Sequence, residues 1–221
     1  MRIRGFLIRG GLVVLLALSA GSAAAEPPQL AQFSAIADAS AGWKVHATKE
    51  GVTLERRAVA GSSYYEYRAV LDVAADPEQV AKLIWQGFRS GDMETLKRRE
   101  MLRDTENELL IYDQIKTPIV QDRDYVIEVK RIYRPDSRRT EFRCATVTGV
   151  GPAPAPGHVR IPIIRAGWMV EPSGSGARIT YYAYSEPGGY ITALIARGAQ
   201  GDRSMADVLR MKKQVRSLQP H

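Results

Sequence analysis

The chain has 221 residues, a formal net charge of +7 and a single cysteine, Cys144. One cysteine excludes an intramolecular disulfide and a two-thiolate metal site; on an expected strand it reads as a small buried hydrophobe. The basic balance leaves nucleic acid and anionic lipid surfaces as partner classes to be separated by motif.

Residues 1–25 read as a secretory signal peptide. Arg2, Arg4 and Arg9 give a positive start, an apolar run covers 11–20, and Ser22-Ala23-Ala24-Ala25 supplies a cleavage site before Glu26. The apolar run is shorter than the ~20 residues of a membrane-spanning helix, which leaves an uncleaved anchor as the alternative. Cleavage removes three arginines and no acid, so the charge falls from +7 to +4. The expected location is the periplasm or the medium, and 26–221 is expected to form one domain.

Leu30, Phe33, Ile36 and Ala37 recur at helical spacing, which predicts an amphipathic helix over 29–41. Short alternating runs at 43–47, 51–55 and 63–73, joined by glycine-marked turns, predict a three-strand antiparallel meander. Asp76-Pro77-Glu78 starts a helix with an N-cap and a first-turn proline, and that helix is expected to end near Ser90-Gly91. Strand patterns return at 97–103, 109–116, 124–133, 139–147, 158–170 and 177–185. Pro187-Gly188-Gly189 is a stop, after which an amphipathic helix is expected from Tyr190 onward. Its apolar stripe is Ile191, Leu194, Ile195, Met205, Val208, Leu209, Val215 and Leu218.

Specific residues within this order resemble the START (steroidogenic acute regulatory protein-related lipid transfer) domain. Gly51-Val52-Thr53-Leu54-Glu55 is similar to its early strands and Asp76-Pro77-Glu78-Gln79-Val80 to its middle helix. Pro118-Ile119-Val120-Gln121-Asp122-Arg123-Asp124-Tyr125-Val126 resembles its Arg-Asp-aromatic-Val signature, Gly157-His158-Val159-Arg160 its Gly-x-Val-Arg, and Pro187-Gly188-Gly189-Tyr190-Ile191 the junction to its last helix. The motifs are nearest to the phosphatidylcholine-transfer branch. Thr192 and Arg197 depart from the family pattern of proline and asparagine.

The resemblance implies an α+β helix-grip fold, also seen in birch-pollen-allergen-like proteins, in which a curved antiparallel sheet wraps a long C-terminal helix around an internal lipid tunnel. It implies binding and transfer of one hydrophobic lipid without catalysis or cofactor. The candidate lipid-binding residues are Leu110, Tyr112, Gln114, Arg123, Tyr125, Ile127, Val129, Trp168, Tyr181, Ile191, Leu194, Ile195, Met205, Val208 and Leu209. The acid and arginine of sterol-binding members fall at Leu110 and Val129, which argues against a sterol held by that pair. Arg123-Asp124 reads as an ion-paired corner before its strand, with lipid head-group contact as the alternative.

His46, His158 and His221 have no zinc spacing, and no nucleophile elbow or phosphate loop is present. No nucleic-acid motif accompanies the cations. Lys97-Arg98-Arg99, Arg103, Arg138-Arg139 and the cations of the last helix are therefore expected to form a solvated face or to touch an anionic membrane transiently. The chain is expected to act as a monomer, its protein partners unknown. The alternatives are a cyclase- or hydrolase-like helix-grip enzyme and a lipid-gated sensor.

Overall fold

Turn chemistry sets the first hairpin. In the computed structural model, which describes residues 41–118, 120–191 and 193–218, Glu50 and Gly51 have φ of 51° and 71°. Two left-handed residues make the tight turn whose twist matches paired strands, and it joins β1 (Lys44–Lys49) to β2 (Val52–Ala58). The signal peptide, most of the helix expected over 29–41, Thr192 and the side chain of Leu194 lie outside the described residues.

β3 (Tyr65–Val73) completes the meander. Helix α1 (Pro77–Ser90) follows, started by Asp76, whose Oδ1 accepts from the Glu78 and Gln79 N–H groups at 3.0 Å each. It ends at Gly91, left-handed at φ 67°, where a side chain would meet Leu96 and Arg99. Then come β4 (Leu96–Asp104), β5 (Glu108–Ile115), β6 (Asp122–Arg134), β7 (Arg139–Thr146), β8 (His158–Arg160), β9 (Ile163–Ser173), β10 (Gly176–Glu186) and α2 (Ala193–Arg216).

Strand order is β1-β2-β3-β10-β9-β7-β6-β5-β4, antiparallel throughout, with β8 added parallel to β6. Register shifts in the β1–β2 and β4–β5 pairs put irregularities near both edges of the sheet. The single strand expected over 158–170 is two strands. Pro162 separates them because it has no N–H to give to a ladder, and the chain leaves β6 at β8 to join β7 at β9.

One face of the sheet is apolar across strands: Leu54, Ala69, Tyr181, Trp168 and Phe142 are register neighbours. α2 lies over β2, β3 and β10, and α1 over β9 and β10. Ala196, Met205, Val208, Met211 and Val215 are buried hydrophobic residues of α2. Gly201 lets β1 approach, since a Cβ there would lie 2.3 Å from His46 Nε2. Lys212 donates to the Glu50 carbonyl and ties the far end of the helix to the first hairpin. The arrangement is the helix-grip fold.

Val208 is fully buried and Ile195 is 55% exposed. Val208→Asp is expected to destabilise the protein by more than about 3 kcal/mol, because it strands a carboxylate in the core. Ile195→Asp is expected to stay within about 0.5 kcal/mol. Thermal unfolding followed by circular dichroism reads both, and an unchanged midpoint for Val208→Asp would contradict the seating of α2.

Candidate ligand cavity

The concave face is wider than the two helices that cover it, and a cavity of about 500 Å³ remains. Its walls are mostly apolar. β6 contributes Tyr125 and Ile127, β7 Cys144, β9 Ile164 and Trp168, β10 Tyr181, α1 Ile84 and Phe88, and α2 Met211. Trp168 and Tyr181 pack as a pair with ring centroids 4.7 Å apart. The rim includes Lys116, Thr117 and Pro118 after β5, and Pro187 and Ile191 before α2.

A polar group at the wall satisfies itself. Arg99 Nε donates to Asp113 Oδ1 at 2.7 Å, Arg99 Nη2 to Asp113 Oδ2, and the Tyr125 hydroxyl to Asp113 Oδ2 at 2.9 Å. Arg99 also donates to the Phe88 carbonyl at 2.6 Å, fixing the end of α1. Burial and the Asp113 carboxylate push the Tyr125 phenol well above its ordinary range, so it stays protonated. Burial and Asp113 likewise push the Cys144 thiol up to about 12. A protonated phenol, an inert thiol and a carboxylate already bonded to both neighbours leave no free base in this group.

The Arg123-Asp124 corner divides between the two readings. Asp124 faces away from the cavity, where it accepts from Arg160 Nε and the Ala155 N–H at 2.7 Å each and from the Tyr112 hydroxyl at 3.1 Å. Burial alone would raise its carboxyl, but these donors outweigh it and hold the pKa below the usual range. Arg160 also donates to the Pro152 carbonyl, so the proline-rich loop at 149–157 is pinned here. Arg123 is on the other face and lines the cavity; it is 3% exposed.

α2 is latched over the cavity. Arg203 donates to Thr95 Oγ1 at 2.8 Å, Arg210 to the Asp92 carbonyl, and Gln214 to Asp92 Oδ2 at 3.2 Å. Arg203 and Arg210 both pair with Asp207. The expected basic face is therefore largely neutralised: Lys97 pairs with Asp122, Arg98 with Glu100, Arg103 with Glu108, Arg139 with Glu141, and Arg99 is buried on Asp113.

Of the residues singled out in the sequence, Arg123, Tyr125, Ile127, Trp168, Tyr181 and Ile191 meet at this cavity. Leu110, Tyr112 and Gln114 do not, because they point to the opposite face; the residues of β5 in line with Tyr125 and Ile127 are Asp113 and Ile111. A one-residue shift in face along Leu109-Leu110-Ile111-Tyr112 reverses every side chain, and that run is apolar on both parities. Leu110 pairs with Glu128 and Val129 with Leu109, so Leu110 and Val129 lie on opposite faces and cannot be the two halves of one buried pair. Val129, Met205 and Val208 are core residues, Leu209 lies beside Lys212 and Lys213, and Ile195 is exposed. Arg99 and the α1 residues Ile84 and Phe88 were missed. Arg99 sits in a run of three cations that reads as surface, and only its pairing opposite Asp113 reveals otherwise.

No protein-family model matches the chain. It is similar to an uncharacterized protein of Pseudomonas aeruginosa, 28% identical over 159 residues, which is 70% of this chain and 77% of that protein. It also matches Rho GTPase-activating protein 7 of Bos taurus, 27% identical over 72% of this chain but only 14% of that protein. Among solved structures it is similar to a STAR-related lipid transfer protein fragment from Xanthomonas axonopodis, with a TM-score of 0.70 and 25% identity, covering 79% of this chain and 99% of that one. Human StAR-related lipid transfer protein 5 shares the fold with a TM-score of 0.73 at 19% identity, covering 86% of this chain and 93% of that one.

Two measurements test this site. With its thiol near 12, Cys144 is expected to leave a disulfide reagent at pH 8 essentially untouched in the folded protein, and to react with one equivalent in denaturant; rapid native reaction would contradict its enclosure. Asp124→Asn is expected to cost about 3 kcal/mol at neutral pH by leaving Arg160 unpaired. Because the folded-state pKa of Asp124 is lowered, its contribution is present above the unfolded value near 4 and is lost as pH falls through the folded one. The gap between wild type and variant in urea titrations should therefore narrow as the pH is lowered toward 3.

Proposed function

We propose that this chain is an exported member of the START family that encloses one hydrophobic lipid and carries it between membranes without chemistry. The observation that carries the reading is the apolar cavity beneath α2, in a fold shared with proteins named for lipid transfer. A volume of about 500 Å³ lies within the ~300–1,000 Å³ of sites that enclose a single small ligand. At ~30 Å³ per water-sized group, it favours one acyl chain or a compact ring system over the paired chains of a diacyl lipid.

An enzymatic reading would have to recruit Arg99, Asp113 and Tyr125, and their mutual hydrogen bonds count against it. Loading calls for α2 to move, since the 149–157 loop is held by Asp124 and Arg160. Lys213 and Arg216, exposed at the end of α2 without a carboxylate partner among the described residues, are candidates for transient contact with an anionic membrane, at about 1 kcal/mol each. Export to the periplasm or medium rests on Arg2, Arg4, Arg9 and the Ala23-Ala24-Ala25 site.

Protein purified from an exporting host is expected to carry one lipid per chain by native mass spectrometry, to begin at Glu26, and to move a labelled lipid between vesicles. Labelled phosphatidylcholine, a single-chain lipid and a sterol distinguish the ligand classes. Protein that is consistently empty and takes up none of the three would overturn the binding reading; an intact amino terminus in the cytosolic fraction would remove export.

A further inference from the structure

The cavity wall treats its cations unequally. Arg99 is paired with Asp113, and Arg203 and Arg210 share Asp207. Arg123 is not so paired: it is 3% exposed, and among the described residues its guanidinium meets only neutral carbonyls, Nη1 donating to Gln121 and Nη2 to Gly188 at 3.4 Å. Its Nε has no partner among those residues.

Neither flanking carboxylate compensates for it. Asp122 is taken by Lys97 at 2.6 Å and by the Thr117 N–H, and Asp124 is taken by Arg160 on the opposite face. A buried charge without a counter-charge is costly, and five N–H donors on one planar group suit a carboxylate or phosphate better than scattered carbonyls. Lys116 lies at the same end of the cavity, since Ile115 pairs with Arg123 in register, and it too has no carboxylate partner among the described residues. The wall beyond, at Ile127, Ile161, Ile164 and Trp168, is apolar.

We propose that the ligand is an amphiphile with an anionic end, a carboxylate or a phosphate monoester, which Arg123 receives with Lys116 at the rim while a single apolar tail lies against Ile127, Ile164 and Trp168. This rests on the lipid-binding reading above and adds a charge requirement to it. Lys116 directly follows β5 and Arg123 is the second residue of β6, so the anionic end is the part of the ligand nearest the paired ends of those two strands.

Displacement of Nile red, a neutral reporter, from the purified protein tests the charge requirement. The competitors are oleate, oleoyl lysophosphatidate and oleyl alcohol, each kept below its aggregation threshold. Wild-type protein is expected to bind at least one of the two anions ten or more times as tightly as the alcohol. The tighter anion tells carboxylate from phosphate. Arg123→Gln is expected to abolish that preference while leaving the alcohol unchanged, and Lys116→Gln to reduce it two- to three-fold.

Equal binding of alcohol and anions by the wild-type protein would overturn the proposal while leaving the lipid cavity intact, and this holds even if Arg123→Gln does not fold. An anion preference that survives in a folded Arg123→Gln would also overturn it. Failure of all three competitors to displace the reporter would remove the lipid-binding reading itself.

Discussion

A curved sheet with one apolar face is stable only if something lies across that face, and here α2 does so. Its buried Met205, Val208, Met211 and Val215 contribute roughly 1.5–3 kcal/mol each in gross burial. The helix rests on β2, β3 and β10, with α1 beside it on β9 and β10. Neither helix fills the space in front of β6 and β7, and the cavity is what remains there. The latches from Arg203, Arg210 and Gln214 to the segment after α1 hold the cover in place without filling the space beneath. The same contact therefore supplies core and hollow, and Met205 and Val208 belong to the first while Met211 belongs to both.

Among the described residues, most charged groups beside the hollow follow one rule, and Arg123 does not. Arg99 with Asp113 and Tyr125, Asp124 with Arg160, and Asp207 with two arginines are sets in which each charge touches an opposite one. Such sets hold strands and loops in register but offer a ligand little. Arg123 departs from the rule at the one end of the cavity that also carries Lys116, and it is there that specificity can reside. Its neighbour Asp124 shows why the two residues of the motif have separate tasks. Consecutive side chains of a strand point to opposite faces, so one builds the corner and the other lines the cavity.

Element order was legible because it depends on local chemistry. Asp76-Pro77 capped a helix, Glu50-Gly51 turned a hairpin, and Gly188-Gly189 separated the last strand from the last helix. The face of β6 was legible too, since Tyr125 and Ile127 alternate with residues that turned out to face elsewhere. The face of β5 was not. Leu109-Leu110-Ile111-Tyr112 is apolar at every position, and nothing within it says which parity looks inward. The stripe of α2 had the same limitation: a helix buried along most of one side does not reveal which buried residues meet a neighbour and which meet empty space.

The sequence by itself determined most of the succession of described strands and helices, the single strand expected over 158–170 excepted, together with the likeness to START domains and the placement of arginine and aspartate side by side at the start of β6. Those features follow from residue spacing and backbone preference, which act over a few positions. Only the tertiary structure decided that Asp113 neutralises Arg99 from the adjacent strand, that Leu110 and Val129 face opposite ways, and that Arg123 has no counter-charge among the described residues. Each of these is set by register between strands and by where α2 comes to rest, and pairing partners distant along the chain leave no trace in local spacing.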